Sequence, residues 1–345
     1  MIKGKLNKYV VEKGAVKPEL VIAVCDSCSP DVLRLDLAWL NIRIFDLEDP
    51  EFKSLIVSTA FKNEHHDWGP SNFKEFEEMV SNGSGYHPNL YAFVPIDFAR
   101  PVASKIFYLI EELLLIIFPS DFQIKNLISY HEQEKGKYTI SHWSHNHGHA
   151  QWWIKGEEAG PDDFLLQFEE GETKKVNEFF RVAWSRLEKL TYVKLGVRSY
   201  VNSFSQHFLD MKFISLCITL ESLTNATTEI THRIARTSAV VNADNVDEGK
   251  LIYFNASQFY SLRSAIVHGN DHKYLREYFF NLQALVSRTL IELITLNILD
   301  REKLNELVNE SGYGAKTKWI DNYVKEDFNK GVSKLISVKV QKYSK

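Results

Sequence analysis

The chain has 345 residues, of which 44% are hydrophobic, 13% are aromatic and 25% are charged. This composition excludes a disordered protein and predicts two or three globular domains. The formal net charge of −4 excludes a chain that binds polyanions over its whole surface. Any contact with nucleic acid therefore requires a local basic patch.

Cysteine content and apolar stretches point to a reducing compartment. The three cysteines cannot all pair, so a disulfide scaffold is not expected. Cys25 and Cys28 form a CxxC pair, but no second CxxC completes a structural zinc site. No signal-peptide pattern is visible, and Glu111 and Glu112 interrupt the longest apolar stretch, residues 106–118. We expect a cytoplasmic protein with no membrane contact.

The first half of the chain predicts mixed secondary structure. Residues 19–24, 32–45 and 54–61 are rich in β-branched and aromatic side chains, which favours strands. Residues 101–118 predict one helix, because Pro101 fits its first turn and Pro119 follows its end.

From Glu172 onward the apolar spacing of three and four residues predicts helices. After the first, they are expected at about 196–207, 210–223, 229–241, 248–268 and 272–299. The fold class is therefore α+β, with an N-terminal mixed α/β region followed by a C-terminal all-α bundle. The predicted domains are 1–165, the bundle 166–310 and a basic C-terminal extension 311–345.

All charged residues of the basic extension lie in its last thirty residues. Eight lysines lie between Lys316 and Lys345, against three acidic residues. We expect a solvated helix and tail, and a polyanion-binding patch is the alternative.

A histidine-rich stretch, SHWSHNHGHAQWW, is the first candidate site. On a strand, His145, His147 and His149 would share one face and could bind zinc with a water as fourth ligand. Against this, no carboxylate in the stretch orients the rings, and Asn146 and Gly148 favour a turn. A polar, aromatic partner-binding loop explains the same composition.

The segment RSAIVHG, residues 263–269, is the second candidate site. Arg263 and His268 lie five residues apart near the predicted end of a helix, and Gly269 follows where a helix normally stops. One such arginine–histidine pair is roughly what chance supplies in a chain of this composition, so the context must decide. Five residues turn a helix about 140° past a full turn, which prevents the two side chains from stacking.

Glu221 supplies that context. It shares a helix face with apolar residues, where a carboxylate needs a cationic partner. Arg263, Arg233 or Arg236 could provide it. A pair that only fixes helix packing is the alternative to a pair that orients a functional arginine.

Four linked elements resemble the HEPN superfamily, most closely its Apea-like branch, over about residues 172–300. They are Leu220–Glu221 in FISLCITLESL, Ala235–Arg236 in THRIARTSAVV, the element Y-x-x-R-S-x-I-V-H-G at Tyr260 to Gly269, and a long final helix. In that family the position after the arginine is often more polar than Ser264.

The resemblance implies a metal-independent endoribonuclease of a prokaryotic antiviral, abortive-infection or toxin-like system, without cofactors. Two copies of the motif would form one composite site across a homodimer. Arg263 and His268 would be catalytic, and Ser264 and Glu221 would support them. The alternative is a non-catalytic HEPN module that binds nucleic acid, a nucleotide or a protein partner.

Further expectations concern the RNA and the trigger. The candidate RNA-binding residues are Arg233, Arg236, His272 and Lys273. The N-terminal region would sense a phage or cellular trigger.

Overall fold

The computed structural model describes most of the chain. The described residues are 20–60, 73–81, 90–95, 100–134, 137–144, 154, 164–224, 228–269, 275–320 and 323. Their contacts group into two compact units. The first ends at Thr173, and the second contains Glu112–Pro119 and the chain from Lys174 onward. The fold class is α+β, as predicted, with the helical region C-terminal.

The first unit contains a five-stranded antiparallel sheet. Its strands are β1 (Leu20–Asp26), β2 (Ile42–Asp46), β3 (Tyr91–Pro95), β4 (Gln123–Glu134) and β5 (Lys137–Ser144). They lie in the order β2-β3-β1-β4-β5. Helices α1 (Pro50–Ala60) and α2 (Phe73–Ser81) pack their apolar residues against one face of β1. Helix α3 (Arg100–Ile117) agrees with the predicted helix 101–118, and its residues from Glu112 onward belong to the second unit.

The predicted strand 54–61 is wrong, and the predicted strand 32–45 is right only from Ile42, where β2 begins. Residues 54–61 belong largely to α1, because the Asp49 side chain accepts the Glu51 N–H at 2.7 Å and Pro50 opens the helix. Residues 30–40 form two short 3-10 helices before β2 begins. In both places a capping residue and a proline outweigh β propensity.

The second unit is a helical bundle. Its helices are α4 (Thr173–Leu187), α5 (Thr191–Ser205), α6 (Leu209–Thr224), α7 (Ile230–Asn242), α8 (Val246–Val267), α9 (Leu275–Leu296) and α10 (Arg301–Glu310). The sequence predicted α4 and α6–α9 closely, placed the start of α5 five residues late and did not include α10.

Helix α9 forms the core of the bundle. It contacts α5, α6, α7 and α8, and 17 of its 22 residues are buried. It is also long and apolar enough to cross a bilayer, but 83% of its most apolar window is buried inside the protein. This degree of burial is that of a helix surrounded by protein.

A charged network is buried at the C-terminal half of α9. Lys316, from the predicted basic extension, is fully buried. Its Nζ donates to Glu292 Oε1 at 2.7 Å and to the Asn242 carbonyl at 2.8 Å. The Tyr323 hydroxyl donates to the other Glu292 oxygen at 2.5 Å. The start of the extension is therefore part of the bundle, contrary to the expectation of a solvated tail.

Replacing Lys316 with methionine should lower the free energy of unfolding by about 3–5 kcal/mol, because Glu292 is left buried without its cation. Urea denaturation followed by far-UV circular dichroism measures the change. The matched control is Lys303→Met, which breaks an exposed 3.0 Å pair with Glu306 and should change stability little. Equal effects of the two substitutions would contradict the burial of Lys316.

Candidate functional site

Helices α6 and α8 bring Glu221 and Arg263 together. Arg263 Nη2 lies 3.4 Å from Glu221 Oε1, so among the three partners considered the ion pair forms with Arg263. About a third of each side chain is exposed, 33% for Arg263 and 30% for Glu221. The pair is thus accessible to solvent and less buried than the sequence predicted. Ion pairs of this kind contribute at most about 1 kcal/mol to stability.

The Arg263 guanidinium is not saturated with hydrogen bonds. Its Nε is buried and has no hydrogen-bond partner among the described residues. By contrast, Arg43 binds both carboxylate oxygens of Glu51 through two nitrogens. Arg236 donates to the carbonyls of Val308, Asn309 and Ser311. Arg263 is therefore placed by Glu221 but not saturated by it.

Tyr260 and Cys217 are buried one helical turn before Arg263 and Glu221, respectively. The Tyr260 hydroxyl donates to the Cys217 carbonyl at 2.8 Å. Burial raises the pKa of Tyr260 far above its ordinary value, and the charge of Glu221 adds to the rise. Burial likewise raises the pKa of the Cys217 thiol. Both groups stay protonated at neutral pH, so Tyr260 is a permanent donor and Cys217 is no nucleophile.

His268 lies at the C-terminal cap of α8, where its side chain is exposed. Its amide donates to the Ser264 carbonyl at 3.1 Å, and Gly269 follows with a left-handed φ of 70°. Gly269 therefore ends the helix as predicted. Because α8 stays regular up to Val267, Arg263 and His268 extend from it in different directions.

The other predicted site residues fall into three groups. Ser264 is exposed beside Arg263, and Arg233 is exposed on α7. The half-buried Arg236 holds the C-terminal end of α10, which gives it a packing function. His272 and Lys273 lie outside the described residues.

The structure does not test the candidate histidine metal site. In the described part of the chain, no group of three or more His, Cys, Asp or Glu residues could hold a metal ion. His145, His147 and His149 lie outside the described residues. Cys25 and Cys28 are buried with their sulfurs 3.8 Å apart. Burial raises the pKa of Cys25, which disfavours the thiolate that a metal requires.

Two exposed apolar side chains border the candidate site. Ile218 precedes Glu221 by one turn of α6 and is 42% exposed, and Val267 precedes His268 and is 52% exposed. Sequence reasoning placed Ile218 on an apolar face with Glu221 but did not predict that this side chain faces solvent. It also gave Tyr260 no function, although its three-residue spacing from Arg263 places both on one side of a helix.

Replacing Gly269 with alanine should lower the free energy of unfolding by about 1 kcal/mol, because a side chain is strained at a left-handed φ. No atom lies within 4 Å of the added methyl group, so the cost is purely conformational. Gly171 is the matched control, since it has the same open space without a left-handed φ. Thermal unfolding should show a loss for Gly269→Ala only, and an equal loss in both variants would contradict the assignment.

Comparison with known proteins identifies no relative: no family model, curated protein or solved structure matches the chain.

Proposed function

We propose that the protein is a metal-independent endoribonuclease of the HEPN type, with Arg263 and His268 as its catalytic residues. The observation that carries the proposal is the state of Arg263. Its side chain is partly exposed and held by one 3.4 Å contact to Glu221, and its buried Nε has no hydrogen-bond partner among the described residues. By contrast, the Arg236 guanidinium donates to three backbone carbonyls and holds the end of α10.

The residue types suit cleavage of RNA. RNA carries its own nucleophile, the 2′-hydroxyl, which attacks the adjacent phosphorus as the bond to the 5′-oxygen breaks. A histidine can accept the 2′-hydroxyl proton or give a proton to the leaving oxygen. The planar, permanently charged Arg263 fork can bind phosphate oxygens as negative charge builds on them. The products are a 2′,3′-cyclic phosphate and a 5′-hydroxyl.

We propose a homodimer because Arg263 and His268 of one copy point in different directions. Within one copy, the regular end of α8 directs Arg263 and His268 apart. A second copy would supply the complementary group, so that two motifs form one site. The exposed apolar residues Ile218 and Val267, next to Glu221 and His268, suit the margin of such an interface.

The wider role follows from the same proposal. The protein would act in the cytoplasm of a prokaryote, in an antiviral, abortive-infection or toxin-like system. The N-terminal unit, which contains none of the proposed catalytic residues, would sense the phage or cellular trigger. Ser264, exposed beside Arg263, would support the catalytic pair, and the exposed Arg233 would contact RNA.

Purified protein should cleave single-stranded RNA in EDTA, and Arg263→Ala and His268→Ala should each slow cleavage by about 10²–10³-fold. These factors are typical of removing a charge-stabilising donor or an acid–base group. Cleavage of a 5′-labelled RNA measures the rates. Arg43→Ala and His207→Ala, which remove the same side chains elsewhere, should cleave like the wild type.

Two results would refute the assignment. Cleavage that survives both substitutions would place the active residues elsewhere. A protein that binds RNA without cutting it, with binding unaffected by His268→Ala, would instead be the non-catalytic module.

Replacing Ile218 with lysine should convert the dimer to a monomer and abolish cleavage, because a charge would be buried at the interface. Sedimentation velocity gives the mass, and circular dichroism checks the fold. Val246→Lys is the control, since Val246 is 52% exposed at the other end of α8. A dimeric Ile218→Lys variant with full activity would exclude this face as the interface.

A further inference from the structure

We infer that Tyr260 is a positioning residue that sets the orientation of Arg263 through α6, an inference that rests on the proposed function. Tyr260 and Arg263 lie one turn apart on α8, and Cys217 and Glu221 lie one turn apart on α6. Two polar contacts, one turn apart, therefore join α6 and α8. One is Tyr260 Oη to the Cys217 carbonyl at 2.8 Å, and the other is Arg263 Nη2 to Glu221 at 3.4 Å.

The Cys217 carbonyl, which accepts the Tyr260 hydroxyl, links this hydrogen bond to Glu221. In an α-helix, the carbonyl of residue 217 accepts the amide hydrogen of residue 221. Tyr260 therefore binds the same oxygen that helix geometry pairs with the backbone of Glu221, and the second lone pair accommodates it. Movement of this carbonyl would be transmitted to Glu221 and from there to Arg263.

The two contacts differ in rigidity. Tyr260 is 4% exposed, and its neutral bond to a carbonyl does not depend on salt or pH in the neutral range. The Glu221–Arg263 contact is long and partly exposed, so it cannot fix the spacing of the helices alone. The buried bond holds α6 and α8 at this point, and the partly exposed pair then orients the Arg263 guanidinium.

Tyr260→Phe tests the inference, because it removes the hydroxyl and keeps the buried ring. The rate at saturating RNA should fall about tenfold, since misplaced catalytic groups lose rate rather than binding, and KM should stay within about twofold. Tyr192→Phe is the matched control. Tyr192 is also 4% exposed and donates to a backbone carbonyl, that of Ile298, at 2.9 Å. It should lower the melting temperature by a similar amount without changing the cleavage rate.

A double variant separates positioning from a direct role in the chemistry. If Tyr260 acts through Glu221, the double variant Tyr260→Phe/Glu221→Gln should cleave RNA as fast as the slower of the two single variants. Losses that multiply would show that Tyr260 does not act through Glu221. Equal losses of rate in Tyr260→Phe and Tyr192→Phe would mean that both tyrosines only stabilise the fold.

A second readout does not depend on RNA. Phenylglyoxal modifies accessible arginines, and peptide mass spectrometry follows its reaction at Arg263. The reaction should be faster in Tyr260→Phe than in the wild type or Tyr192→Phe. An unchanged rate at Arg263 would overturn the inference even if the protein cleaves RNA. Faster modification in a protein without Arg263-dependent cleavage would uphold the positioning and refute only the proposed function.

Discussion

The bundle depends on the neutralisation of two charges buried on its central helix. Arg288 and Glu292 lie one turn apart on α9, and both are nearly inaccessible to solvent. Arg288 lies 3.0 Å from Glu248, and Glu292 accepts from Lys316. Since an unpaired buried charge costs several kcal/mol, α9 can take its central place only when the start of α8 and the segment after α10 are also in place. These charges thus select one arrangement of helices and make the C-terminal segment part of it.

The same unit uses cations from other elements to satisfy helix ends. Arg186 donates to the Ile294 and Thr295 carbonyls at the end of α9, and Lys212 donates to the Phe204 carbonyl at the end of α5. Arg236 does the same for α10. The last carbonyls of a helix lack internal partners and carry partial negative charge, so a buried cation suits them. Arg263 binds no helix end, and its partner is the partly exposed carboxylate of Glu221.

The sequence predicts what depends on local pattern. Gly269 identified the end of α8, and apolar spacing identified most bundle helices. Asp49 and Pro50 carry a helix-start signal, but α1 was predicted as a strand from the β-branched and aromatic residues that follow them. Contacts between distant elements were not predictable in this way. Glu221 required a cation, but only packing selects Arg263 over its alternatives. In the sequence, Lys316 was indistinguishable from the other lysines of the extension, because its burial depends on Glu292.

The geometry of α8 limits how the proposed site can work. Arg263 is one turn after a buried tyrosine that binds a neighbouring helix, and His268 is where α8 ends. The arginine is therefore held by the bundle, whereas the histidine is on an exposed cap beside a left-handed glycine. On the proposed function, this division is useful. The group that binds phosphate needs a fixed direction, and the group that moves a proton needs access to a strand bound across two copies. Because the regular end of α8 directs the two groups of one copy apart, the proposed site would be complete only when a second α8 faces the first.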